Sequence, residues 1–210
     1  MLRQYSQMAG VDHDFSPRQM KKDDKFYCDM QRYIAVTTVG PSALRNQGSK
    51  GVIKAAQDHL ARIRLRQFRA NNEDSFISTL DTETERLRKA LPQGAKNWGA
   101  ARKALNLFLR DICYNRFLCE RHGLSKSEDW MEIPLDSLIA AFLKRKARQE
   151  KRRLPRWPGL TGLTREVSAI FQAYAKQVAL SQGISRVHLD MRVWTEERER
   201  NVEQPTAAYC

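Results

Sequence analysis

Lys103 and Asp136 are the two residues whose types and settings could do chemistry together. Lys103 lies near the start of the apolar stretch GAARKALNLFLRD, and Asp136 opens DSLIAAFL just after Glu132-Ile133-Pro134-Leu135. A lysine amine freed of its proton attacks an electrophilic carbon, and at C1′ of a sugar it goes on to a Schiff base. A carboxylate beside it can orient the amine, carry protons and offset positive charge on the sugar. Burial in an apolar helix start favours the neutral amine that such an attack needs. Each residue also has a structural reading, in which Lys103 snorkels out of a buried helix and Asp136 only caps the next one.

The elements that must position this pair read as helices. Ala101, Leu105, Leu107, Phe108, Leu109, Ile112, Phe117 and Leu118 make a long helix that is apolar almost all round, which places it in the middle of a domain. Gly123 is a helix stop, and the helical period restarts after Asp136, near its N-cap. Upstream, Val52, Ile53, Ala56, Leu60, Ile63 and Leu65 predict a helix over 51–68. A further one carries Phe76, Ile77, Leu80, Leu87 and Leu91, with Asp74 or Ser75 as its cap. The stretch 27–39 is ambiguous, because β-branched Val36, Thr37, Thr38 and Val39 weaken a helical pattern. After the turn WPGLTGLT a last helix runs over 164–181, stopped by Gly183, and RVHLDMRVW beyond it reads as a strand or as a helical turn. The sequence therefore predicts an all-α domain of six to eight helices over 27–196, with a flexible arm over 1–26 and a frayed tail over 197–210.

Charge narrows the partner. Lys and Arg number 37 against 24 Asp and Glu, a formal net charge of +13, which attracts polyanions by long-range fields and counterion release. Eight of the thirteen positions 144–156 are basic: Lys144, Arg145, Lys146, Arg148, Lys151, Arg152, Arg153 and Arg156. The run follows the Asp136 helix directly, where a nucleic-acid backbone passing the pair would lie. Nucleic acid is the expected partner. The four cysteines have no metal spacing, and His13, His59, His122 and His188 are dispersed, so no metal or other cofactor is expected. No apolar run approaches a membrane span and the first residues lack an apolar signal core, so a cytoplasmic protein with reduced thiols is expected.

The segments GAARKALNLFLRD and EIPLDSLIAAFL resemble the helix-hairpin-helix DNA glycosylase superfamily, and among its members the archaeal 8-oxoguanine DNA glycosylase group. The resemblance covers roughly 95–195, and the 33 residues from Lys103 to Asp136 are consistent with that group's longer insert. Where a typical hairpin has a second glycine this chain has Ala100 and Ala101. The resemblance implies a helical bundle, with two lobes around a cleft, and a DNA N-glycosylase with lyase activity acting on a damaged or modified base. It makes Lys103 the Schiff-base nucleophile and Asp136 the catalytic carboxylate. A rival placement reads LPRWPGLTGLT as the hairpin, with Leu163 where the lysine would be and Asp190 as the carboxylate of a lysine-free enzyme. Base flipping also calls for side chains that fill the gap and stack on the extruded base, for which Trp98, Trp130, Trp157 and Phe108 are candidates. Arg45 and Gln47, in RNQGSKG, could read a base edge. The alternative function is a helical DNA-binding module without catalysis.

Overall fold

The computed structural model describes residues 17–44, 47 and 50–203. Among them every regular element is helical, so the all-α expectation holds, although with nine α-helices it exceeds the six to eight expected. In chain order these are α1 (Pro17–Thr38), α2 (Val52–Leu60), α3 (Glu73–Ala90), α4 (Trp98–Tyr114), α5 (Arg116–His122), α6 (Ser137–Gln149), α7 (Gly159–Gly162), α8 (Arg165–Ser181) and α9 (Leu189–Glu203). Short 3-10 turns cover Leu65–Phe68, Ser125–Trp130 and Arg186–His188.

Several local readings are corrected by tertiary contacts. Residues 17–26 belong to α1 rather than to an arm, while 1–16, with His13, lie outside the described residues. The β-branched stretch stays helical because Ile34, Ala35 and Val39 are buried in the core, and packing overrides propensity. The helix expected over 51–68 stops at Leu60, where the buried Gln31 amide donates to the carbonyls of Leu60 (3.0 Å) and Ile63 (2.9 Å). The cap of α3 is Asn72, whose side chain accepts from Ser75 N at 2.9 Å, rather than Asp74 or Ser75. The long apolar helix is two helices, broken at Asn115, which ends α4 and caps α5 by accepting from Leu118 N at 3.0 Å. Gly123 ends α5 at φ 66°, the left-handed conformation that glycine adopts without a Cβ penalty. The segment RVHLDMRVW is a 3-10 turn running into α9, and α9 continues past 197 to Glu203; the rest of the expected tail, 204–210, is outside the described residues.

Two apolar clusters divide the fold. The first gathers α1 to α5 around fully buried Phe68, Phe76 and Phe108, and the second gathers α6, α8 and α9 around Phe142, Phe171 and Leu189. Two features join them. Helix α4 carries α7 on its first turn, where Gly99 meets the backbone of Leu160. The extended segment 131–136 crosses from one cluster to the other, with Met131 in the first and Ile133 and Leu135 in the second. At Gly99 a Cβ would run into the Leu160 carbonyl oxygen and come 2.8 Å from Leu163 Cβ. Gly99→Ala is therefore expected to lower stability by about 1–3 kcal/mol as α7 is pushed away, a loss readable in chemical denaturation.

Candidate active site

Lys103 and Asp136 meet. The Lys103 ammonium lies 3.1 Å from Asp136 Oδ2, with the lysine side chain 8% exposed and the aspartate 32%. The other oxygen of Asp136, Oδ1, accepts from Leu138 N and Ile139 N, both at 3.0 Å, and caps α6. One carboxylate thus divides its oxygens between a helix N-terminus and an amine. The helix N-terminus favours the carboxylate charge and fixes its direction, so that Oδ2 is aimed at the lysine.

The backbone that carries each residue is held by buried polar groups. Next to Lys103 on α4, Arg102 is buried with a 4% exposed side chain, and its Nε and Nη2 donate to Glu132 Oε2 (2.8 Å) and Oε1 (3.0 Å). Its Nη1 donates to Asp81 (2.9 Å) and Thr84 (3.0 Å) on α3, and Asn106 adds a bond to Glu132 at 3.0 Å. Burial alone would push the Glu132 carboxyl up, but the charge and hydrogen bonds of Arg102, with Arg186 and Asn106, outweigh it and hold Glu132 below its ordinary value. The rest of the segment is pinned by Arg186, which donates to the carbonyls of Trp130 (2.8 Å) and Met131 (3.1 Å). Gln172 on α8 exchanges two bonds with Ile133, donating to its carbonyl at 2.8 Å and accepting from its N–H at 3.2 Å. An extended chain through the interior has no ladder of its own, and these side chains satisfy it. Arg102, Glu132, Gln172 and Arg186 were missed as site-forming residues in the sequence, where nothing local names their distant partners.

Asp190 joins the same region. It lies in the first turn of α9 with an 18% exposed side chain, ion-paired to Arg110 two turns along α4 from Lys103. Burial pushes its carboxyl above the ordinary value, Arg110 opposes this, and the charges of both Asp136 and Lys103 are felt there. The two carboxylates read from the sequence as rivals therefore lie in one region, Asp136 on Lys103 and Asp190 on Arg110. The helix judged too poor in apolar positions to follow Asp190 does form, on buried Leu189 and Val193. Leu163, at the lysine position of that rival hairpin, is buried in the second cluster and is core. Arg110 also donates to Asp111 at 2.8 Å, and Thr38 at the end of α1 donates to the same carboxylate at 2.5 Å.

The basic run leaves α6 and returns toward the site. Lys144, Arg145 and Lys146 are half-buried on α6, with Arg145 and Lys146 against the Phe142 ring, and Arg148, Lys151, Arg152, Arg153 and Arg156 are exposed. Arg152 is partly neutralised by Glu150 at 4.0 Å. At the end of the run the Trp157 indole donates to Ser137 Oγ at 3.3 Å, beside the Asp136 cap, and its ring meets Phe171 edge-on at 5.5 Å. Trp98 is half-buried at the start of α4, with the Arg102 guanidinium 5.1 Å from its ring. Phe108 is fully buried core and Trp130 packs against the first cluster, so neither is placed to wedge or stack. Gln47 is buried, 8% exposed, and Arg45 lies outside the described residues.

Cys28 is exposed, Cys113 half-buried and Cys119 buried, all with free thiols, and burial pushes the Cys113 thiol up. Among the described residues no group of His, Cys, Asp and Glu could hold a metal ion, and no helix is long and apolar enough to cross a membrane. The chain matches no family model, no curated protein and no solved structure.

Proposed function

We propose that the protein is a DNA N-glycosylase with lyase activity, of the helix-hairpin-helix kind that its sequence resembles. The observation that carries this reading is a buried lysine 3.1 Å from a carboxylate whose second oxygen is fixed on a helix N-terminus. In the reaction, Lys103 passes a proton to Asp136 and its nitrogen attacks C1′ of an extruded nucleotide. The C1′–N bond breaks, its electron pair leaves with the base, and the base takes up the proton that Asp136 received. Ring opening of the resulting N-glycosylamine, with a proton of the Lys103 nitrogen passing to O4′, gives a Schiff base between Lys103 and the sugar, from which loss of the 2′ proton eliminates the 3′ phosphate. Asp136 faces the positive charge that develops on the sugar, and the exposed basic residues of 148–156 hold the flanking phosphates. Trp157, next to the Asp136 cap, is the aromatic best placed to stack on the extruded base. The resemblance points to an oxidised purine as the base, and a modified pyrimidine of foreign DNA is the other class to include in a screen.

Lys103→Ala separates this enzyme from a DNA-binding module. Base release from duplexes bearing 8-oxoguanine, uracil or modified cytosines is expected to vanish, while duplex affinity stays within a few-fold because the basic run is intact. Base release that continues unchanged in the variant would overturn the assignment of Lys103.

A further inference from the structure

A second strongly basic surface lies on the first cluster, outside the run at 144–156. The chain from 62 to 69 alternates inward apolar with outward basic residues: Ile63, Leu65 and Phe68 are buried, while Arg62, Arg64, Arg66 and Arg69 are exposed. Its backbone is not a loose loop. Gln31 holds the carbonyl of Ile63, the turn Leu65–Phe68 is 3-10, and Ala70 N donates to Ser127 Oγ at 3.2 Å. None of the four arginines forms an ion pair among the described residues.

The charge is extended at both ends. Arg62 lines a groove between α1 and α2 with Arg32 and Lys54, over Val36 and Ala61. The acid in that groove, Asp58, is already engaged by Lys54. At the other end Arg69 packs against Gly123, and Arg66 and Arg121 bear on His122, which burial and these cations hold below its ordinary value.

We propose that this arginine rail binds the phosphate backbone of a nucleic acid. Unpaired arginines fixed on a rigid backbone offer planar donor forks at repeated intervals, which suits the regularly repeated phosphates of one strand. The proposal shares with the glycosylase reading only the premise of a nucleic-acid partner. It is scored by binding alone, whereas Lys103 is judged by its chemistry, so either can fail without the other.

The test is an anisotropy titration of a labelled long DNA duplex over a series of salt concentrations, comparing wild type with the quadruple variant Arg62→Gln, Arg64→Gln, Arg66→Gln, Arg69→Gln. The slope of log K against log salt is expected to shrink by about 0.9 for each phosphate no longer neutralised, up to roughly 3.6 for all four. Circular dichroism checks the fold. Should the quadruple variant not fold, Arg64→Gln and Arg66→Gln singly are each expected to reduce the slope by about 0.9. Unchanged affinity and slope in these variants would overturn the proposal. So would variants that lose affinity for poly-glutamate but bind duplex as before, because the surface would then serve an acidic protein.

Discussion

Arg102→Ala is expected to cost about 3–5 kcal/mol of folding stability, because it leaves Glu132 buried and stripped of its main partner. In thermal unfolding this is a fall of roughly 6–20 °C for a chain of this size. The pH dependence gives the effect a sign. In wild type the Glu132 carboxyl is held below its ordinary value near 4.5, so its stabilisation is present above that value and is lost as pH falls through the depressed one. Without Arg102, burial is the largest remaining influence and raises the folded pKa. The folded variant then binds the Glu132 proton more tightly than the unfolded chain does, and this group destabilises it as pH rises. The stability gap between the two proteins should therefore shrink as pH is lowered from neutral to below about 4.5, as urea titrations at several pH values will read. A gap that stayed constant or widened toward acid would place the loss elsewhere than in Glu132. Arg102→Met with Glu132→Leu removes both charges, and is expected to recover much of the lost stability.

Asp136→Asn is expected to lower base release by about 10²–10⁴-fold while keeping the cap of α6. Asparagine accepts from the N-terminal amides of a helix about as well as aspartate, so the bonds to Leu138 and Ile139 survive the change. What is lost is the negative charge 3.1 Å from Lys103. Asp136→Ala removes the cap as well, and is expected to add a stability loss of about 1 kcal/mol to the same activity loss. The comparison isolates proton transfer and charge from capping. If the asparagine variant released base at the wild-type rate, Asp136 would be a cap and Asp190, paired with Arg110, would remain as the other carboxylate of the region.

Much of the candidate site was legible because its signals are local. An apolar stretch with one lysine near its start, an aspartate ahead of an apolar helix, and a dense basic run are each readable within a few turns of chain. The framework was not, since Arg102 meets Asp81, Thr84 and Glu132 across 18 to 30 positions, and Arg186 reaches back 55 positions to Met131. A single charged residue in an apolar pattern does not name its partner. The same holds for the fold: helix periodicity located α4 and α8, but the break at Asn115 depends on a side-chain cap and the end of α2 on Gln31, more than twenty residues upstream. α9 escaped because only Leu189 and Val193 of its first turns are buried while Met191 and Trp194 stay exposed, so its buried stripe is two residues long. The rail at 62–69 was hidden by its own alternation, which read as part of an amphipathic helix rather than as arginines turned outward.

The central claim is that the Lys103 amine becomes covalently joined to a DNA sugar. Borohydride reduction of the protein mixed with oligonucleotides carrying 8-oxoguanine, uracil, modified cytosines or an abasic site traps such a Schiff base as a stable amine. The account predicts an adduct on at least one of these substrates, mapped by peptide mass spectrometry to Lys103 and absent in Lys103→Ala. No adduct and no base release on any of them, or an adduct that persists in Lys103→Ala, would contradict it.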